Sequence, residues 1–219
     1  MSANLYDLQV EILFSGTADA MRRRILAPLK MGLEKLFSGQ NLEAIAPQQL
    51  RVLDIACGTG RTLKFIRATL PKASLYGNDL SPAYLKKANK LLSEELGDLP
   101  QLLQGNAENL PFLDNYFQGI TCVFTFHELP PMVRQKVLEE AFRVIQPGGV
   151  FVICDSIQAS DEPDFATMLE NFPAMFHEPY YKDYIKDNLE ERLEKAGFVN
   201  IATEVHFVSK YWVGYKPNI

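Results

Sequence analysis

From residue 51 onward, short apolar runs alternate with segments whose apolar residues recur every three or four positions. Continuous apolar, β-branched runs read as buried strands, and the helical recurrence reads as helices with one buried face. "RVLDIAC" (51–57) is the first predicted strand, and "RTLKFIRATL" (61–70) is a helix with Leu63, Ile66 and Leu70 on one side. "ASLYGND" (73–79) is a second strand. "SPAYLKKANKLL" (81–92) is a second helix, with Ser81 as N-cap and Pro82 at its first position. "PQLLQGNA" (100–107) and "FQGITCVFTF" (117–126) are strands three and four. A helix over 131–145 aligns Val133, Val137, Ala141 and Val144, and "PGG" (147–149) turns the chain into a fifth strand at 150–156. A helix around 183–196 stops at Gly197. "FVNIATEV" and "HFVSKYWVGYK" follow with almost no connection between them, so they pair as a hairpin.

Strand–helix alternation of this kind predicts an α/β fold, a Rossmann-like, doubly wound, seven-stranded mixed sheet that is parallel except for the C-terminal antiparallel hairpin. Residues 1–49 read as N-terminal helices packed on the sheet. Residues 157–182 are too long for a plain loop and read as a lid insert after the fifth strand. The expected organisation is one domain over 1–219: a helical cap (1–49), a core (50–156), the insert (157–182), and a last helix with the hairpin (183–219).

Composition narrows the function. A net charge of −5 argues against a nucleic-acid partner. No apolar run approaches the roughly 20 residues a membrane span needs, and the N-terminus lacks the basic start of a signal peptide. Cys57, Cys122 and Cys154 lie far apart without a CxxC pair, and His127, His177 and His206 are scattered. That pattern predicts no metal and buried, reduced thiols in a cytoplasmic protein. "ADAMRRRILAPLKMGLEKLF" reads as an amphipathic helical region broken near Pro28. Its Arg22, Arg23, Arg24, Lys30 and Lys35 form either a solvated face or a peripheral contact with lipid headgroups.

The chemistry concentrates where the first strand ends, at Asp54–Cys57, followed by Gly58 and Gly60. Ligands of open parallel sheets bind at such strand ends. A dinucleotide fingerprint needs a third glycine, where this chain has Leu63. Asp79 closes the second strand 19 residues after Gly60, the placement of an acid that accepts hydrogen bonds from ribose hydroxyls. With Ser81 serving as the helix cap, Asp79 is left for a ligand.

Five segments in order, "VLDIACGTG", "YGNDLSPAYLKKA", "GNAENLPF", "FQGITCVFTFHELP" and "FRVIQPGGVFVICDS", resemble the class I S-adenosylmethionine-dependent methyltransferases, in particular the small-molecule branch that includes quinone-ring C-methyltransferases. The resemblance implies S-adenosyl-L-methionine as cofactor and a small-molecule methyl acceptor. It implies that Asp54, Ala56, Cys57, Gly58 and Gly60 pass the methionyl and ribose end of the cofactor, and that Asp79 holds the ribose. Leu80 would lie on the adenine face, Asn106, Ala107 and Glu108 would flank the adenine, and Phe124 and Thr125 would pass near the methionyl group. Asn106 stands where many relatives have Asp.

His127, just after the fourth strand, is the candidate base, since neutral imidazole suits proton removal near pH 7; Glu128 would orient it or hold the cofactor's amino group. His177 is the second candidate, within the aromatic stretch "FPAMFHEPYYKDY" (172–184), whose rings either wall a flat acceptor or anchor the insert. Two other readings stay open. One is an NAD(P)-binding oxidoreductase, against which Leu63 and the lack of a Tyr-x-x-x-Lys pair argue. The other is a non-catalytic S-adenosylmethionine-binding protein.

Overall fold

Three helices precede the sheet, α1 (Tyr6–Leu13), α2 (Ala18–Arg24) and α3 (Leu26–Leu36), in the computed structural model, which describes residues 5–95, 99–176 and 178–218. The break falls at Ile25, between α2 and α3, and not at Pro28. Pro28 sits in the first turn of α3, where its missing N–H leaves no helical bond unmade. α3 lies tight on the sheet: a Cβ on Gly32 would stand 2.6 Å from the Cβ of Val150, so glycine sets the approach of helix to strand.

The alternating core runs β1 (Arg51–Ile55), α4 (Arg61–Thr69), β2 (Ser74–Asp79), α5 (Pro82–Glu95), β3 (Gln101–Gln104), β4 (Phe117–Val123), α6 (Pro131–Val144) and β5 (Ile145–Ser156). Helices α7 (Ala166–Phe176), α8 (Tyr181–Tyr184) and α9 (Leu189–Ala196) lead to the hairpin β6 (Val199–His206) and β7 (Ser209–Tyr215). The seven strands stand in the order β3-β2-β1-β4-β5-β7-β6. The first five pair in parallel, and β7 runs antiparallel to both β5 and β6. Strand residues alternate between two cores. Leu53, Ile55, Phe151 and Ile153 pack with α6 and α9 on one face; Val52, Val150, Val152 and Cys154 pack with α3 and α4 on the other. All three cysteines are buried and unbonded to one another. Among the described residues, no helix is long and apolar enough to cross a membrane.

Three local expectations change. Strands 1 and 4 end early because Ala56 (φ 53°) and Phe124 (φ 54°) turn into the left-handed region. "PGG" is no free turn: Gly148 N–H donates to the Lys216 carbonyl at 2.9 Å and Lys216 N–H to that of Gly149 at 3.1 Å, so β5 starts at Ile145. The single helix expected over 183–196 is two, α8 and α9. Asn188 starts α9 by accepting from Glu191 N–H at 3.2 Å. The loop between them is pinned to residues 158 and 159, where the Gln158 amide donates to the Tyr184 and Asp187 carbonyls and Ala159 N–H to the Ile185 carbonyl.

Candidate active site

β1 and β4 are neighbours whose following connections run to opposite sides, which opens a crevice beyond their carboxyl ends. The loop after β1 bends through Ala56, Gly58 (φ 53°) and Gly60 (φ 82°). Nothing stands within 4 Å of a Cβ placed on Gly58, so this glycine faces open space. Cys57 faces the sheet instead, with its Sγ 2.8 Å from a Cβ placed on Gly77, and contributes packing. Leu63, fully buried, fills the gap over the same Gly77, which is the position a third glycine would have kept small for a pyrophosphate.

Asp79 is not wholly free. Its Oδ2 accepts from Gly58 N–H at 2.9 Å and its Oδ1 from Ser81 N–H at 2.8 Å. The carboxylate therefore ties the glycine loop to the end of β2 and keeps further lone pairs for a ligand. Burial raises its pKa, opposed by those two backbone hydrogen bonds. Ser81 does cap α5, accepting from Tyr84 N–H at 3.4 Å. Leu80 is 68 % exposed beside it. Beyond β3, Asn106 closes a turn, accepting from Glu108 N–H at 3.0 Å and donating to the Glu108 carboxylate at 3.1 Å. Glu108 also pairs with Lys136 at 3.3 Å, and Ala107 packs on the core.

Asp54 is buried at the end of β1. Its Oδ1 accepts from the Thr121 hydroxyl at 2.6 Å, and its Oδ2 has no partner among the described residues. Burial pushes its carboxyl up to about 7, the Thr121 hydrogen bond opposing and the charge of Asp79 adding to the rise. An orphaned buried acceptor calls for a donor, and a cationic one would gain most.

The N-terminal helices close over this crevice. Thr59 donates to Asp7 at 2.8 Å, Tyr6 meets Tyr84 edge-on at 5.5 Å, and Phe14 stacks on Phe124 at 6.0 Å. Arg61 donates to Asp19 at 2.9 Å. Arg22 is no part of a solvated basic face: it is 4 % exposed, pairs with Asp19 at 3.2 Å and lies 5.3 Å from the Phe124 ring. Arg24 pairs with Glu204, Arg23 lies over Phe65 and Lys35 over Tyr215.

Beyond the carboxyl end of β4, between α1 and the segment around α7 and α8, opens a cavity of about 740 Å³. Val10, Phe14, Phe124, Leu169, Phe172 and Tyr181 are among its apolar walls, and His127, Glu128 and Glu178 form a polar corner. Of the aromatic stretch, Phe172 stacks on Tyr181 at 4.7 Å in the wall, while Tyr184 is buried and donates to the Ser156 carbonyl as an anchor. The stretch thus both lines the cavity and anchors the segment to the core. His177 lies outside the described residues.

His127 is oriented by a residue the sequence reading missed. Its Nδ1 lies 2.6 Å from Asp155 Oδ1, at the end of β5, and not against Glu128. Burial alone would lower the His127 pKa, but the charge and hydrogen bond of Asp155, with Glu128 and Glu178 adding, raise it to about 9. The imidazole is therefore protonated near pH 7, contrary to the neutral form expected. Asp155 left a signal in the sequence: like Asp54 and Asp79, it is an acid closing an apolar strand. Thr125 takes part through its backbone, donating N–H to Asp155 at 3.0 Å.

Residues 52–149, from β1 into β5, match a family described as a methyltransferase domain. Over that stretch the chain is similar to methyltransferase domains, and its strand order is that of the Rossmann-like methyltransferase fold. Among its relatives, an uncharacterized methyltransferase of Synechocystis sp. is 34% identical over 134 residues, 59% of this chain and 58% of that protein. A demethylmenaquinone methyltransferase of Desulfitobacterium hafniense is 32% identical over 130 residues, 58% of this chain and 51% of the relative. The matched stretch thus spans only a little more than half of these relatives. A solved S-adenosylmethionine-dependent methyltransferase from Aquifex aeolicus superposes with a TM-score of 0.57 at 23% identity, covering 83% of this chain and 88% of the other, which shows the shared fold. Methyltransferase domains similar to this one use S-adenosylmethionine, and the residues present fit it: a buried carboxylate oxygen on Asp54 without a partner among the described residues, open space over Gly58, and the Asp79 carboxylate at the end of β2.

Proposed function

We propose that this protein transfers a methyl group from S-adenosylmethionine to a small, flat, apolar acceptor, with a reduced quinone ring as the favoured class. The observation that carries the proposal is the largely apolar, aromatic-walled cavity beyond the end of β4, with His127, Glu128 and Glu178 at one corner. The demethylmenaquinone methyltransferase relative supports the quinone class. Asp54, Gly58 and Asp79 hold the cofactor, which when bound supplies a methyl group activated by a sulfonium. Leu80, Asn106, Ala107 and Glu108 flank the adenine side. Phe124 and Thr125 pass between cofactor and cavity. The protein's task is to press the acceptor's nucleophilic atom toward the methyl group, at roughly 3–3.5 Å, and to exclude water. In its neutral form, which becomes populated as pH rises toward 9, His127 accepts the proton that the acceptor gives up.

The test is transfer from methyl-labelled S-adenosylmethionine to naphthoquinols and benzoquinols that lack one ring methyl, with a polar amine of similar size as control. Singly methylated quinol, detected by mass spectrometry, is the expected product. Methylation of the amine alone would contradict the proposal.

A further inference from the structure

His127 and Asp155 form a built unit in the cavity wall. Asp155 is fully buried, and its four contacts are all accounted for. Oδ2 accepts from Thr125 N–H at 3.0 Å and Phe126 N–H at 2.7 Å; Oδ1 accepts from Ser156 N–H at 2.7 Å and faces His127 Nδ1 at 2.6 Å. These bonds fix the turn that carries His127 to the end of β5. Among the described residues, His127 is the side chain that pairs with Asp155, and it balances the carboxylate's charge when protonated. The imidazole edge is further confined by Tyr181 at 6.0 Å and Tyr184 at 6.2 Å between ring centroids. With Nδ1 committed to Asp155, Nε2 is the nitrogen left for the cavity that His127 lines.

We infer that Asp155 is a positioning residue that makes His127 Nε2 the proton acceptor for an aromatic acceptor bearing an ionisable hydroxyl, a phenol or hydroquinone. The inference rests on the cavity being the acceptor site. The step is a proton transfer: the acceptor's O–H bond breaks, its electron pair stays on oxygen and enriches the ring, and an N–H bond forms at Nε2. The resulting imidazolium is balanced by Asp155. Magnitudes favour a phenol, whose acidity near 10 lies close to that of His127, raised to about 9. The proton is then shared at small cost. The titratable groups facing the imidazole are Asp155 from β5, its neighbour Glu128, Glu178 from the segment before α8, and Tyr181 and Tyr184 from α8. Tyr6 and Tyr84 face it across the cavity.

Two measurements test this. In the wild-type protein, nuclear magnetic resonance with labelled histidine, assigned by His127→Gln, follows the titration of His127 and needs no substrate. A midpoint near 9 is expected, falling toward 6.5 in Asp155→Asn; a wild-type midpoint at or below 7 overturns the inference. With a phenolic acceptor, the wild-type rate should rise with pH toward 9. In Asp155→Asn the rising limb should move to lower pH and the plateau kcat fall at least about 100-fold, with KM and S-adenosylhomocysteine affinity within about threefold. An unchanged plateau, or equal methylation of the same ring without its hydroxyl, overturns it. A failed histidine titration rejects the pair while leaving the cavity reading intact. A normal titration without transfer to any quinol or phenol rejects the cavity reading, and with it this substrate class.

Discussion

Replacing Arg134 with alanine lowers the unfolding free energy by about 3 kcal/mol. Arg134 is fully buried, an unusual place for a guanidinium, and every arm of it is used. Nε donates to the Phe126 carbonyl at 3.0 Å, Nη1 to Asp187 at 2.8 Å and Nη2 to the Tyr180 carbonyl at 2.9 Å, and the group lies 5.5 Å from the Tyr184 ring. One side chain on α6 thus joins the His127 turn, the start of α8 and the loop before α9. Alanine takes one of two donors from each of two carbonyls, Phe126 keeping Leu129 N–H and Tyr180 keeping Tyr184 N–H, and opens a cavity. Asp187 keeps Arg192, with Nε at 2.6 and 2.8 Å, which holds the loss near the low end for a broken buried pair. Arg134→Lys should recover less than half of it, because one ammonium cannot span the fork of acceptors. Urea unfolding of the three proteins measures this; a loss below about 1 kcal/mol for alanine would show that the network contributes little.

His127→Ala should lower kcat toward a quinol by about 10²–10⁴-fold at pH 9, the midpoint at which the wild-type imidazole loses its proton, and leave S-adenosylhomocysteine affinity within about threefold. Steady-state kinetics beside calorimetry reads both. Unchanged turnover would mean that no proton leaves through this residue. The same substitution carries a stability signature. The folded-state pKa of His127, about 9, lies above its ordinary value of 6.5. The native state therefore holds the proton more tightly, and this contribution is fully present below pH 6.5 and lost as pH rises through 9. The variant should thus be most destabilised relative to wild type in mildly acidic buffer, and the gap should narrow toward pH 10.

The strand alternation and the glycine loop were legible because both are local: apolar period, caps and turn residues are written in consecutive positions. Leu63, which the sequence reads as unfavourable to a pyrophosphate, packs over Gly77. Long-range pairings were not legible. Nothing adjacent to Arg22 announces that the Phe124 ring covers it, and nothing near Arg134 announces Asp187, 53 positions away. The partner of His127 escaped for the same reason. Glu128 was the nearest acid in sequence, but β4 and β5 are neighbours in the sheet, so the acid ending β5 lies closer to the imidazole in space. The split of the last helix reflects tertiary hydrogen bonds from residues 158 and 159 overriding a continuous apolar stripe.

The most direct test of the account is calorimetric titration of the protein with S-adenosylhomocysteine and with NAD(H). It predicts one molecule of S-adenosylhomocysteine bound per chain, no heat from NAD(H), and markedly weaker binding in Asp79→Ala, which removes the carboxylate tying Gly58 to the end of β2. Saturable NAD(H) binding with no response to S-adenosylhomocysteine would contradict it.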